Sequence, residues 1–168
     1  RGVFTRELQE TVDNLGLMYP PDPASTAFST IGGNIAENSG GLRAVKYGVT
    51  KNYVMGLEVV LPTGEVVRTG SKCIKDVVGY NLTELFVGSE GTLGVITKAV
   101  IKVVPKPEAV RTMTATFHTL EDAAEAVKAI FATGVRPSTL EFLDRISVEV
   151  VERAIHFGAK PEGGALLL

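Results

Sequence analysis

The chain has no tryptophan and one cysteine, Cys73. A single thiol excludes an internal disulfide and any cysteine-rich zinc site, and it fits a reducing compartment. The net charge is −2 and no run of Lys and Arg interrupts it, so nucleic acid finds no electrostatic footprint. No stretch approaches the roughly 18 apolar residues of a membrane-spanning helix. No secretory leader is visible. The common nucleotide motifs are missing too: no Gly-x-Gly-x-x-Gly follows a strand and opens a helix, and neither Gly-Lys-Ser nor Gly-Lys-Thr occurs. No metal-ligand spacing and no Ser/His/Asp or Cys/His arrangement can be assembled. His118 and His156 lie far apart in sequence and read as ordinary surface or packed histidines.

What is present is enough for a folded core, with 45% apolar and 21% charged residues in a chain of 168. Glycine, at 18 residues, exceeds the usual share of roughly 7%, and it clusters. Gly32-Gly33 and Gly40-Gly41 bracket Ile35 and Ala36, which suggests one helical turn between two bends. Gly88, Gly91 and Gly94 fall within seven residues and precede an apolar strand. Glycine lets backbone approach a ligand closely and lets neighbouring amides converge on an anion. On local pattern alone, a tight turn is the better account of the first cluster and a β-bulge or strand-entry turn of the second. Glu90 and Asp76 read as solvated or backbone-bound carboxylates, and Cys73 as an inert thiol.

Periodicity predicts a helix over residues 3–15, with Val3, Leu8, Val12 and Leu15 on one face and Gly16 as its cap. Residues 19–23, with three prolines, predict a rigid extended stretch. A hairpin is expected from strands at 53–61 and 66–69 around the turn 62–65. A short helix over 82–87 should pack Leu82, Leu85 and Phe86. A strand follows at 95–104, and Pro105 to Glu108 read as a linker. Beyond it come a strand at 111–117, a helix at 120–133 ended by Gly134, a strand or turn at 138–143, a helix at 146–157 and an apolar run at 164–168. This order predicts a second α+β unit starting near residue 110. The chain begins on Arg1 rather than Met and ends on that apolar run, so a truncated chain is expected.

Three segments carry a joint pattern. Residues 20–41 read PPDPASTAFSTIGGNIAENSGG, followed by Arg43 and Tyr47-Gly48. Residues 57–65 read LEVVLPTGE. Residues 75–97 read KDVVGYNLTELFVGSEGTLGVIT. In order and spacing they resemble the FAD-linked oxidases of the vanillyl-alcohol oxidase superfamily, with a flavin domain of the p-cresol methylhydroxylase type. Within it they are most similar to glycolate oxidase D subunits and D-lactate dehydrogenases.

The resemblance implies an α+β fold. Residues 1–108 would be the second half of the FAD-binding domain, and 109–168 the start of a ferredoxin-like substrate cap, whose opening matches Arg136-Pro137 and residues 140–144. The same opening argues against a related flavin reductase of cell-wall sugar metabolism. By resemblance, Ser29, Thr30, Gly32, Gly33 and Asn34 would meet the FAD pyrophosphate and flavin edge. Glu37, Asn38, Ser39 and Gly40 would follow the ribityl and isoalloxazine side. Glu90, Gly91, Gly94, Val95 and Ile96 would offer backbone to the adenosine half and the flavin. An earlier pyrophosphate loop would precede Arg1. The family's catalytic and metal-binding histidines come later than residue 168, so no catalytic residue and no metal ligand is carried over. The parent protein is expected to oxidise a small 2-hydroxyacid, glycolate or D-lactate, and to pass electrons to an acceptor such as an iron–sulfur subunit. It would be cytoplasmic, or peripheral at a membrane through that partner. The alternative is a non-catalytic flavin-binding or scaffold subunit of a related complex.

Overall fold

A computed structural model describes residues 2–156, 158 and 165–167. It divides into two compact units, Arg1–Pro107 and Glu108–Leu168.

The first unit opens with α1 (Thr5–Asp13). Its first-turn amides would lack acceptors in an isolated helix. Here Thr5 N–H donates to the Ser29 carbonyl (2.9 Å) and Arg6 N–H to the Thr26 carbonyl (3.1 Å), which ties the helix to the following loop. Val12 is buried and Leu8 packs beside it. The expected partners Val3 and Leu15 lie beyond the helix ends and are exposed. Gly16 turns the chain in a left-handed conformation (φ +72°). The short strand β1 (Leu17–Met18) then pairs antiparallel with β5 (Val104–Pro105). The expected linker is therefore partly strand: Pro105 faces Leu17, and Lys106 N–H donates to the Gly16 carbonyl (3.1 Å).

Residues 19–23 run extended into α2 (Ile31–Glu37). This helix is longer than the single turn expected, and Gly32-Gly33 lie inside its first turn instead of before it. Two short helical turns follow, α3 (Ala44–Tyr47) and a 3-10 turn (Thr50–Tyr53). Strands β2 (Val54–Val60) and β3 (Val66–Gly70) form the hairpin, and β4 (Val95–Ile101) pairs antiparallel on the other side of β2. α4 (Leu82–Phe86) lies between β3 and β4 in sequence.

Successive side chains on a strand point to opposite faces. Leu57 and Val59 point into the core, where Ile31 and Ile35 of α2 and Phe86 of α4 meet them. Of the three apolar residues expected to pack from α4, only Phe86 does. Leu82 and Leu85 are exposed, and Thr83 is the other buried residue of the helix.

The opposite face of β2 carries Glu58. Its carboxylate accepts from Arg68 Nη2 (2.9 Å) and Nε (3.1 Å) on β3, and from Lys98 Nζ (3.0 Å to Oε1) and Thr97 Oγ1 (3.0 Å) on β4. These charge-assisted bonds cross all three strands.

In the second unit, β6 (Ala115–Phe117), α5 (Leu120–Ala132), β7 (Phe142–Asp144), α6 (Arg145–Ile155) and β8 (Ala165–Leu167) follow in order. β8 lies between β6 and β7 and is antiparallel to both. The strands β6 and β7 are therefore parallel to each other with a third strand inserted, the split arrangement of ferredoxin-like units. Thr119 and Asp144 cap α5 and α6 through the amides of Asp122 (3.1 Å) and Ser147 (2.7 Å). β6 is shorter than expected, and the strand read at 138–143 forms only at Phe142–Asp144. Of the expected helix 146–157, residue 157 lies outside the described residues, as do residues 164 and 168 of the final apolar run.

Lys98 first, then Arg68 and Thr97, lower the Glu58 pKa from 4.5 to about 2. A carboxylate whose folded-state pKa is depressed contributes stability that is present above its unfolded value and lost as pH falls through the folded one. Glu58→Gln should therefore flatten the acid limb of the stability curve between pH 4.5 and 2. Urea midpoints measured across that range for both proteins check this.

Candidate flavin-binding site

The two glycine-rich segments are joined by hydrogen bonds. α2 ends in a Schellman motif: Ser39 N–H donates to the Asn34 carbonyl (2.9 Å), Asn38 N–H donates to the Ile35 carbonyl (3.2 Å), and Asn38 is left-handed (φ +52°). The Ile35 and Ala36 carbonyls also accept from the amides of Gly88 and Glu90, both at 2.9 Å. Glycine is favoured at position 88 by its left-handed backbone (φ +78°), and a Cβ there would make only an ordinary contact, 3.4 Å from the Asn38 Cβ. Glu90 is left-handed without being glycine (φ +52°), and Gly91 continues the bend (φ +74°). A non-glycine residue there costs roughly 1–2 kcal/mol.

Several expected contact side chains are engaged within the protein. Asn34 is buried. Its Nδ2 donates to Thr5 Oγ1 (2.7 Å), and its Oδ1 accepts from Ser39 Oγ (3.4 Å). Ser29 Oγ pairs with the same Thr5 hydroxyl at 2.8 Å. Thr30 caps α2 by accepting from the Gly33 amide (3.1 Å). Asn38 Oδ1 accepts from the Lys51 amide (2.9 Å). The Ser39 carbonyl accepts from Thr50, both from its amide (3.0 Å) and from its hydroxyl (2.7 Å). Gly40 lies 3.5 Å from Val49 Cγ1, measured from the position of an added Cβ.

Beneath this bend, Tyr19 is wholly buried. Its hydroxyl lies near Thr50 without a hydrogen bond of ordinary geometry, and burial pushes its pKa up to about 12. Sequence reasoning passed over Thr5, Thr50 and Tyr19, since a lone hydroxyl in a helix or a Tyr before prolines carries no local signal.

Gly32, Gly33, Glu37, Glu90 and Gly91 are left at the surface or close to it. A Cβ on Gly32 or Gly91 would meet nothing within 4 Å, so both face open space. Gly94 serves packing, because a Cβ there would stand 2.6 Å from Val59 Cγ1 and 2.7 Å from the Val60 carbonyl oxygen. Val95 pairs with Val60 and is exposed; Ile96 pairs with Val59 and packs at the core margin. The only charged side chains within residues 29–40 and 88–96 are Glu37 and Glu90. The nearby cation Arg43 is paired with Asp22 at 3.4 Å. Among the described residues, no group of three or more His, Cys, Asp or Glu could hold a metal ion.

The α+β chain joins its two glycine-rich bends by main-chain hydrogen bonds, and comparison with known proteins identifies the class of domain. The FAD binding domain model matches residues 1–70, and the model for the C-terminal domain of FAD linked oxidases matches residues 106–168. The chain thus carries matches to both an FAD binding domain and the C-terminal domain of FAD linked oxidases. It is 53% identical over 167 residues to glycolate oxidase subunit GlcD of Bacillus subtilis, covering 99% of this chain and 36% of that protein. It is 44% identical over 152 residues to the D-lactate dehydrogenase of Anaerostipes hadrus, covering 90% and 32%. A solved structure of alkyldihydroxyacetonephosphate synthase superposes with a TM-score of 0.79 at 28% identity, covering 98% of this chain and 32% of that one. The chain thus spans about a third of the length of these relatives.

The surface fits part of a dinucleotide cradle. Bare backbone at Gly32 and Gly91 faces open space, while the surrounding side chains hold the bends in shape. A cation to neutralise a pyrophosphate is absent from both bends.

Two substitutions separate shape from surface. Asn34→Ala removes one partner of a buried network and should cost about 1–3 kcal/mol. Glu90→Gly relieves a left-handed residue and should raise stability by up to about 1 kcal/mol. Urea unfolding of each variant reads both.

Proposed function

We propose that this chain is the central part of an FAD-dependent dehydrogenase that oxidises a small 2-hydroxyacid, glycolate or D-lactate, to the 2-oxoacid. The observation that carries the reading is the hydrogen-bonded pairing of the bends at 35–40 and 88–91. Its support from relatives is the 53% identity to a glycolate oxidase subunit and the 44% identity to a D-lactate dehydrogenase.

FAD, when bound, supplies the redox chemistry by accepting a hydride equivalent. This chain's residues position it. Gly32, Gly33 and Gly91 offer main chain at close range to the pyrophosphate and the flavin edge. Glu37 and Glu90 are unsuited to a phosphate, because like charges repel; they are suited to accept hydrogen bonds from ribityl or ribose hydroxyls. Ser29, Thr30, Asn34, Asn38 and Ser39 act by holding the bends, and Gly40, Gly94, Val95 and Ile96 complete the wall. The units 1–108 and 109–168 would be the second part of the FAD-binding domain and the start of the substrate cap.

A base outside this chain takes the hydroxyl proton, and an iron–sulfur acceptor subunit removes the electrons in the cytoplasm or at the membrane surface. No helix among the described residues is long and apolar enough to cross a membrane. The 168-residue chain alone is expected to bind FAD weakly and to turn nothing over, since half a cradle leaves the pyrophosphate without its counter-charge.

Two measurements test this. In the full-length protein, anaerobic addition of glycolate or D-lactate should bleach the flavin absorbance; a flavin that stays oxidised with both would overturn the assignment. Glu90→Gly should weaken FAD binding by roughly tenfold, the loss of one or two hydrogen bonds, while stability rises. Flavin fluorescence titration reads the affinity.

A further inference from the structure

Among the described residues, the Tyr19 hydroxyl is the only buried side-chain nitrogen or oxygen without a hydrogen-bond partner. A buried donor left unpaired is costly, and each such group in a native protein calls for a physical reason.

The ring is held too firmly to find a partner by moving. The pairing of β1 with β5 fixes the residues before it, and the fully buried Pro20 follows it. Proline fixes its own φ and restricts the residue ahead of it to extended backbone. The Tyr19 ring packs edge-on against Tyr53, with centroids 6.1 Å apart and planes at 79°. Tyr53 is held in turn by its hydroxyl, which donates to the Tyr47 carbonyl (2.8 Å).

Thr50, also wholly buried, stands beside the phenol. Its amide and its hydroxyl both donate to the Ser39 carbonyl, at 3.0 and 2.7 Å. The one hydroxyl proton of Thr50 is therefore committed to Ser39, and toward Tyr19 its Oγ1 presents lone pairs only. The phenol is the matching group. Burial pushes its pKa up to about 12, so it keeps its proton at neutral pH and acts as a donor. The polarity of the chain is thereby fixed, from Tyr19 to Thr50 to Ser39, and hydrogen bonds in such a chain strengthen one another. Its acceptor end lies in the bend after α2, where Asn38, Ser39 and Gly40 are half-buried. The Lys51 amide, which donates to Asn38 Oδ1, ties that bend to the residues around Thr50.

We propose that Tyr19 is a positioning residue for the flavin wall: with FAD seated against the bend, segment 38–51 settles onto the phenol, Tyr19 Oη donates to Thr50 Oγ1, and the Ser39 carbonyl is braced from below. The inference rests on the flavin reading of this bend. Tyr19 acts through Thr50 and Ser39 and touches no cofactor atom. A ligand shifts a protein between two states only by binding one of them better. Here the seated state gains a hydrogen bond that the FAD-free state lacks, so part of the affinity is stored as an unpaired donor in the core.

Tyr19→Phe keeps the ring and its packing and removes only the hydroxyl. In the full-length protein stripped of FAD, its urea midpoint should equal or exceed that of the wild type, because no paired group is lost. Its FAD affinity, read by flavin fluorescence titration, should fall about tenfold, the net worth of one hydrogen bond. Thr50→Ser keeps the relaying hydroxyl and should bind FAD as the wild type does. A Tyr19→Phe protein that binds FAD like the wild type overturns the proposal. So does an FAD-free Tyr19→Phe protein less stable than the wild type, since the hydroxyl then has its partner already and its role is structural. Thr50→Ser losing as much affinity as Tyr19→Phe also overturns it, because packing then carries the effect. A wild-type protein that takes up no FAD sinks the flavin reading, and this inference with it, before any variant is compared.

Discussion

Two hydrogen bonds, from the amides of Gly88 and Glu90 to the carbonyls of Ile35 and Ala36, hold the candidate site together. The last carbonyls of a helix have no partner within it, and an unpaired buried carbonyl is costly. α2 meets that need partly with its own Schellman turn and partly with a segment some fifty residues later in sequence. The second contribution forces the chain after α4 into left-handed bends at Gly88, Glu90 and Gly91. The glycines are thus where the helix end demands them. A left-handed glutamate among them is an outlier of the kind that collects at functional sites.

Around that contact, polar side chains shape the backbone. The chain of hydrogen bonds from Ser29 through Thr5 and Asn34 to Ser39 links α1, the loop before α2 and the bend after it. A buried polar network of this type specifies one geometry, because each member left unpaired would be penalised. The side chains of Ser29, Thr30, Asn34 and Asn38 are engaged within the protein, and the surface offered outward is main chain at Gly32 and Gly91.

Much of this was legible in the sequence where period and turn chemistry agree. The apolar residues of 53–61, Gly64 in the turn and the return at 66–69 foretold the hairpin, and the apolar face of 120–133 with Gly134 foretold α5. The joint pattern of three segments pointed to the flavin family without any Rossmann or Walker motif. What failed did so for physical reasons. Gly32-Gly33 read as a bend ahead of a single helical turn, yet glycine is tolerated in a first turn that Thr30 caps. Leu82 and Leu85 read as core by hydrophobicity alone, but their helix is a single turn with Phe86 and Thr83 inward. Strand β5 hid behind two prolines, and the cross-strand Glu58 cluster was invisible because its partners lie ten and forty residues away.

The account rests on the bends at 35–40 and 88–91 acting as one surface toward FAD. Hydrogen–deuterium exchange of the full-length protein, with and without FAD, tests that most directly. If the two bends form the flavin wall, their amides slow together when FAD is added. If FAD protects other segments and leaves both bends exchanging as before, the assignment of this site is contradicted.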